Sequence, residues 1–136
     1  MMNKKELMKQ AIKASKLSYS PYSKFRVGAA ILTKNGKIYL GANIENVAYS
    51  VTLCAERVAI SHAYMSGVKK NDIVAIAVVA DLPQPVSPCG ECRQVMSEMF
   101  KLNTKVYLGN LKGKIIETTV GGLLPLGFES LSKKLL

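Results

Sequence analysis

Apolar residues recur at helical spacing near the N-terminus, at Leu7, Met8, Ala11, Ile12, Ala14 and Leu17, with lysines on the other side. That period predicts an amphipathic helix. Asn3 followed by Glu6 has the spacing of a capping box at its start. Pro21 ends the helix and opens a polar loop. The pattern then changes. Phe25 to Thr33 is short, apolar and strand-like, Asn35-Gly36 is a hairpin turn, and Lys37 to Ala42 reads as the return strand. A second helix is expected from Cys54 to Ser66, with Gly67 at the place of a left-handed C-terminal cap. Asp72 to Asp81 holds the nearly continuous run IVAIAVVA, the pattern of a central strand covered on both faces.

Leu82 to Pro88 carries three prolines and reads as a loop. A third helix is expected to begin near Cys89, with Val95, Met96 and Met99 at helical spacing. Lys105–Leu108 and Lys114–Thr119 read as two more strands. The tail from Leu123 onward is apolar but broken by Pro125 and Gly127, and a short last helix is expected there. Five strands interleaved with helices on both sides predict a three-layer α/β/α architecture. No repeat, low-complexity tract or linker divides the chain, so one domain over 1–136 is expected.

Composition narrows the class. The chain has 136 residues, 49% of them hydrophobic, which suits one domain with a real core and excludes a disordered chain. No apolar run approaches the roughly 18 residues of a membrane span. The segment MMNKKELMKQ is polar and periodic rather than a secretory signal. Three cysteines do not make a disulfide framework. These features place the chain in a reducing cytoplasm, with no membrane partner. Nineteen Lys and Arg oppose nine Asp and Glu, a formal charge of +10. The lysines are spread through the first helix, the turns and the strand ends, and form no coherent basic face in the sequence.

The chemistry concentrates in Cys54-Ala55-Glu56 and Pro88-Cys89-Gly90-Glu91-Cys92. Cys89 and Cys92, three apart at a helix start, put both sulfurs on one face of the first turn. A helix N-terminus favours thiolate over thiol. Cys54 also begins a helix, so two helix N-termini could bring three thiolates onto one Zn²⁺. A structural zinc site is closed by four ligands, whereas a catalytic one keeps three and leaves the fourth position to water. The one histidine, His62, lies eight residues past Cys54, about 12 Å along a helix, and does not close the site.

Glu56 could reach water at the metal without binding the metal. Zinc lowers the pKa of such a water to about 7, and a neighbouring carboxylate can take its proton and return it to a substrate. Three thiolates on a dication leave one excess negative charge. Arg57 and Arg93, each close in sequence to a ligand, are the candidate cations to offset it. A lone CxxC is equally a redox pair or two buried cysteines. The order C-x-E followed by P-C-x-x-C is the zinc-deaminase pattern. Glu91, between two ligands, reads as a first-turn glutamate favoured by the helix dipole.

These residues resemble the small homotetrameric cytidine deaminases of pyrimidine salvage. The resemblance runs from the first helix to Phe128. It rests on Tyr22-Ser23-Lys24-Phe25, Val27-Gly28-Ala29-Ala30, Gly41-Ala42-Asn43-Ile44-Glu45-Asn46, Cys54-Ala55-Glu56-Arg57 and Ser87-Pro88-Cys89-Gly90-Glu91-Cys92-Arg93-Gln94. It implies a deaminase-like fold with a five-stranded mixed sheet. It further implies one Zn²⁺ on Cys54, Cys89 and Cys92, with Glu56 as proton shuttle and Arg57 bonded to the ligand thiolates. Asn43 and Glu45 would bind the ribose hydroxyls, Phe25 would pack on the pyrimidine, and backbone groups around Ala55 and Ser87 would read the base's amide edge. Phe128 and Tyr49 would reach a neighbouring subunit's site in a homotetramer. On the residues alone, Asn43 and Glu45 read as loop residues making turn bonds, and Phe25 as a core residue.

The implied reaction is hydrolytic deamination of cytidine or deoxycytidine. Competing readings are a deaminase of another cytosine compound such as blasticidin S, a basic nucleic-acid-binding zinc module, and a nucleic-acid editor. The second needs a fourth ligand and a basic face. The third needs an extra segment for flanking nucleotides. No nucleic-acid partner is therefore expected. Zinc and three thiolates change the formal charge only to about +9, and a neutral nucleoside gains little from that field.

Overall fold

The structure is a computed structural model and describes residues 2–128. The short helix expected beyond Leu123 lies largely outside the described residues, and a one-turn helix over Val120–Leu123 precedes it.

Helix α1 spans Lys4–Ser15 and carries the predicted capping box, with the Asn3 side chain accepting from the Glu6 N–H at 2.9 Å. It ends two residues before Leu17, which is 70% exposed. The reason is tertiary: Tyr19 N–H donates to Asn43 O at 3.0 Å and Glu45 N–H to Tyr19 O at 2.8 Å. These bonds draw the chain out of the helix and onto the segment after β2. Strands β1 (Val27–Thr33) and β2 (Ile38–Ala42) form the predicted hairpin around Gly36, which takes φ +86°. Phe25 and Arg26 stay outside β1, because the ladder to the central strand starts at the pair Val27–Ala80.

Helix α2 is Ala55–Met65, with Cys54 as N-cap and Gly67 beyond its end at φ +92°. Strand β3 is Ile73–Ala80, and α3 is Gly90–Met99 with Cys89 as N-cap. Strands β4 (Lys105–Asn110) and β5 (Ile115–Thr119) complete the sheet, and α4 is Val120–Leu123. The sheet order is β2-β1-β3-β4-β5; only β3 and β4 run parallel, with α3 crossing between them.

The run IVAIAVVA is central, as its pattern requires. Ala75, Ala77 and Val79 face α1 with Leu7, Met8 and Ala11. Ile76 and Val78 face the other layer, with Ala59 and Ile60 of α2 and Met96 of α3. This is the expected three-layer α/β/α arrangement with a mixed sheet. Among the described residues, no helix is long and apolar enough to cross a membrane.

Two glycines set the layer spacing. A Cβ on Gly28 would fall inside the α1 backbone at Ala11 and Ser15. A Cβ on Gly41 would fall inside the α2 backbone at Ala55 and Ala59. Gly41 thus lets the first turn of α2 lie directly on the sheet. The register also collects the sheet ends. Ala42 pairs with Gly28, Val27 with Ala80, and Ala80 with Asn110. The end of β2, the start of β1 and the ends of β3 and β4 therefore share one edge, and the loop into α3 departs from it.

Candidate active site and metal centre

Two helix N-termini meet at this edge. Cys54 and Cys89 cap α2 and α3 in extended conformation, and Cys92 sits in the first turn of α3. The three Sγ atoms lie within 4.8 Å of one another, with Cys54 and Cys89 4.0 Å apart. All three are free thiols; Cys92 is buried, Cys54 half-buried and Cys89 exposed. Tetrahedral zinc with Zn–S bonds of about 2.3 Å places sulfurs about 3.8 Å apart. The cluster needs to contract only slightly to meet that spacing. His62 is elsewhere, its Nδ1 3.1 Å from Leu40 O and its ring edge-on to Tyr39.

The electrostatics of the cluster suit a bound cation. A hydrogen bond from Cys92, against the penalty of burial and with help from Arg57, brings Cys54 down to about 5. The same bond to Cys54, together with burial, pushes the Cys92 thiol up. Cys54 is thus the sulfur most readily deprotonated, and a positive charge among the three would favour the thiolate form of the others. Arg57 Nη2 donates to Cys54 Sγ at 3.4 Å, and Nη1 lies 3.8 Å from the exposed Glu91 carboxylate. The Arg57 Nε is buried with no partner. The donor set and this orphaned donor fit a site built for a metal with thiolate ligands.

Glu56 is 4% exposed on the first turn of α2. Burial, with the neighbouring Cys54 charge, pushes its carboxyl above the usual carboxylate range. A carboxylate in such a place holds a proton more readily than a solvated one.

Arg93 bonds to oxygen acceptors. Its guanidinium donates to Pro88 O at 2.8 Å from Nε, to Leu123 O at 2.9 Å from Nη1, and to Ser87 Oγ at 2.5 Å from Nη2. It follows Cys92 by one residue, a rotation of about 100° around the helix, so it does not share the Cys92 face. Arg57, three residues after Cys54, does share that ligand's face.

The Asn43 amide is already engaged. It donates to Phe25 O at 2.8 Å and accepts from Ser18 Oγ at 2.5 Å and Val27 N–H at 2.9 Å. One amide N–H is left for a further acceptor. Glu45 accepts from the Tyr22 and Ser23 N–H groups at 3.0 and 3.1 Å and from the Ser23 hydroxyl. Glu45, Tyr22, Ser23, Tyr49 and Thr52 line one open cavity. Phe25 is half-buried beside the end of α1, lining a cleft with Ile12, Ser15 and Leu111. Ala55 is fully buried at the start of α2. Phe128 is exposed, and its carbonyl accepts from Gln94 Nε2 at 2.9 Å.

Ser18, Ser23 and Gln94 had drawn no role from the sequence. Their partners lie 22 to 34 residues away, a distance that no local pattern reports.

Fold and site together define a class: an α/β core with three thiols close enough to share one metal and a buried glutamate beside them. The family model described as the cytidine and deoxycytidylate deaminase zinc-binding region matches residues 1–109. The cytidine deaminase of Halalkalibacterium halodurans is 56% identical over 93% of this chain and 95% of its own. That of Sporosarcina psychrophila is 54% identical over 93% and 92%. The crystal structure of cytidine deaminase from Burkholderia pseudomallei superposes with a TM-score of 0.92 at 42% identity, covering 93% of this chain and all of that one. The chain belongs to the cytidine and deoxycytidylate deaminase family. It is an enzyme of that family, and its three-cysteine cluster fits one Zn²⁺ per chain.

Proposed function

We propose that the chain hydrolyses cytidine and deoxycytidine to uridine and deoxyuridine with release of ammonia. The observation that carries this reading is the convergence of Cys54, Cys89 and Cys92 beside the buried Glu56. Cys54, Cys89 and Cys92 would hold the zinc. When bound, Zn²⁺ supplies the Lewis acidity that makes water a nucleophile near neutral pH. A Glu56 carboxylate oxygen takes the proton of the attacking water and delivers it to N3 of the pyrimidine. Water oxygen bonds to C4, Glu56 then takes the remaining proton of that oxygen and passes it to the exocyclic amine, and the C4–N bond breaks as the C4 carbonyl forms and ammonia leaves. Arg57 balances the thiolate charge.

Asn43 and Glu45 orient the ribose hydroxyls. Their ties to Phe25, Val27, Tyr22 and Ser23 preorganise that part of the site. Phe25 packs on the base, and backbone groups at Ala55 and Ser87 read its amide edge. The segment between β2 and α2 exposes Val47 at 77% and Tyr49 at 75%, and the tail exposes Phe128. Isolated chains seldom leave such a run of apolar residues in water, which supports a homotetramer with Tyr49 and Phe128 reaching a neighbour's site. We read residues 1–136 as one catalytic domain working in a reducing cytoplasm, where three free thiols persist. The names of the matched relatives favour the nucleoside over blasticidin S.

The test is loss of ultraviolet absorbance when the zinc-loaded protein meets cytidine. Glu56→Ala is expected to keep its metal and fold while turnover falls at least about 100-fold. Full activity in that variant overturns the assignment.

A further inference from the structure

The loop that leads into α3 cannot hold itself. Pro83, Pro85 and Pro88 supply no N–H donors, so backbone bonding along Leu82–Pro88 is thin. Its near end is fastened by the sheet: Asn110 Nδ2 donates to Pro83 O at 3.0 Å and Lys114 Nζ to Gln84 Oε1 at 2.6 Å. Its far end, Ser87-Pro88, is fastened by Arg93. One guanidinium takes the Pro88 carbonyl, the Ser87 hydroxyl and the carbonyl of Leu123, the last residue of α4. The adjacent Gln94 holds Phe128 O at 2.9 Å. Arg93 and Gln94 thus bind the Ser87 segment and the chain from Leu123 to Phe128 to the same turn of α3.

We propose that Arg93 is a positioning residue for base recognition, a three-pronged strut that fixes the Ser87-Pro88 backbone against α4. Its role is geometric and not one of offsetting thiolate charge. A planar fork with donors in three directions is needed, and a lysine ammonium cannot reproduce it. The proposal rests on the reading that Ser87 meets the base. Contacts to the base are present in ground and transition states alike, so their loosening raises KM more than it lowers kcat.

The experiment compares zinc-loaded wild type, Arg93→Ala and Arg93→Lys by cytidine kinetics, metal analysis and amide hydrogen exchange. Both variants are expected to raise KM about tenfold, change kcat little and keep one zinc per chain. Exchange should quicken in 84–88 and 121–124. Recovery of KM and exchange protection by Arg93→Lys overturns the strut, because charge alone then suffices. Loss of zinc from Arg93→Ala with retention in Arg93→Lys overturns it in the same way. Unchanged exchange in both variants also overturns it. If wild type fails to turn over cytidine, the functional reading falls, while exchange and metal content still decide the strut.

Discussion

Arg57 Nη2 donates to Cys54 Sγ at 3.4 Å, both groups belonging to the first turn of α2. Residues three apart share a helix face, so the helix that presents the Cys54 sulfur also presents a cation to it. The same guanidinium faces Glu91 from α3, at 3.8 Å. It therefore spans both helices that supply cysteines.

Arg57→Gln keeps a donor but removes the charge. Partners behind metal ligands typically contribute 10- to 100-fold in metal affinity. Zinc in this variant is expected to bind at least about tenfold more weakly, read by competition with a chromophoric chelator. Affinity should also fall with falling pH in both proteins, because thiol protons must leave when metal binds. Equal affinity in the two proteins would remove Arg57 from the metal site's electrostatics.

Glu45 gives a pH prediction of definite sign. The Ser23 hydroxyl first, helped by the Ser23 and Tyr22 N–H groups and by Lys24, holds its carboxyl below the usual range against the penalty of burial. A carboxylate with a lowered folded pKa adds stability that is present above the unfolded value, about 4.3, and lost as pH falls through the folded value. Glu45→Gln should therefore unfold at a lower temperature than wild type near neutral pH. The gap should close as pH drops below about 4. A gap that stays constant across the titration would show that the charge of Glu45 plays no part.

Gly41 controls where α2 begins. Gly41→Ala forces a Cβ into the backbone of Ala55 and Ala59, and the helix start must move. A cost of about 1–3 kcal/mol is expected, with weaker zinc binding because Cys54 moves too. Gly90→Ala is the matched control, since a Cβ there meets open space. Its unfolding midpoint should stay near wild type. Thermal unfolding and a zinc titration on both variants check this.

Much of the site was legible because it is local. Cys89 and Cys92 are three apart, Cys54 and Glu56 open a helix, and helical geometry alone puts each set on one turn. The capping box at Asn3 and Glu6 and the turn at Gly36 follow from nearest-neighbour chemistry as well. The end of α1 was not legible. Leu17 fits the helical period, yet pairing of Tyr19 with the segment at Asn43 pulls the chain away. The partners of Arg93 were not legible for a related reason. Closeness in sequence to Cys92 says nothing of which side of the helix the guanidinium takes, and Pro88, Ser87 and Leu123 claim it.

The sequence by itself determined the elements, the three layers and the ligand types, because periodicity and spacing act over one or two turns. Only the tertiary structure decided that two helix starts meet at one sheet edge, since Gly41 and the strand register bring them there. It also decided the different partners of two arginines of the same charge. Arg57 lies on the Cys54 face of its helix, and Arg93 is held by carbonyls and a hydroxyl that fold back to it.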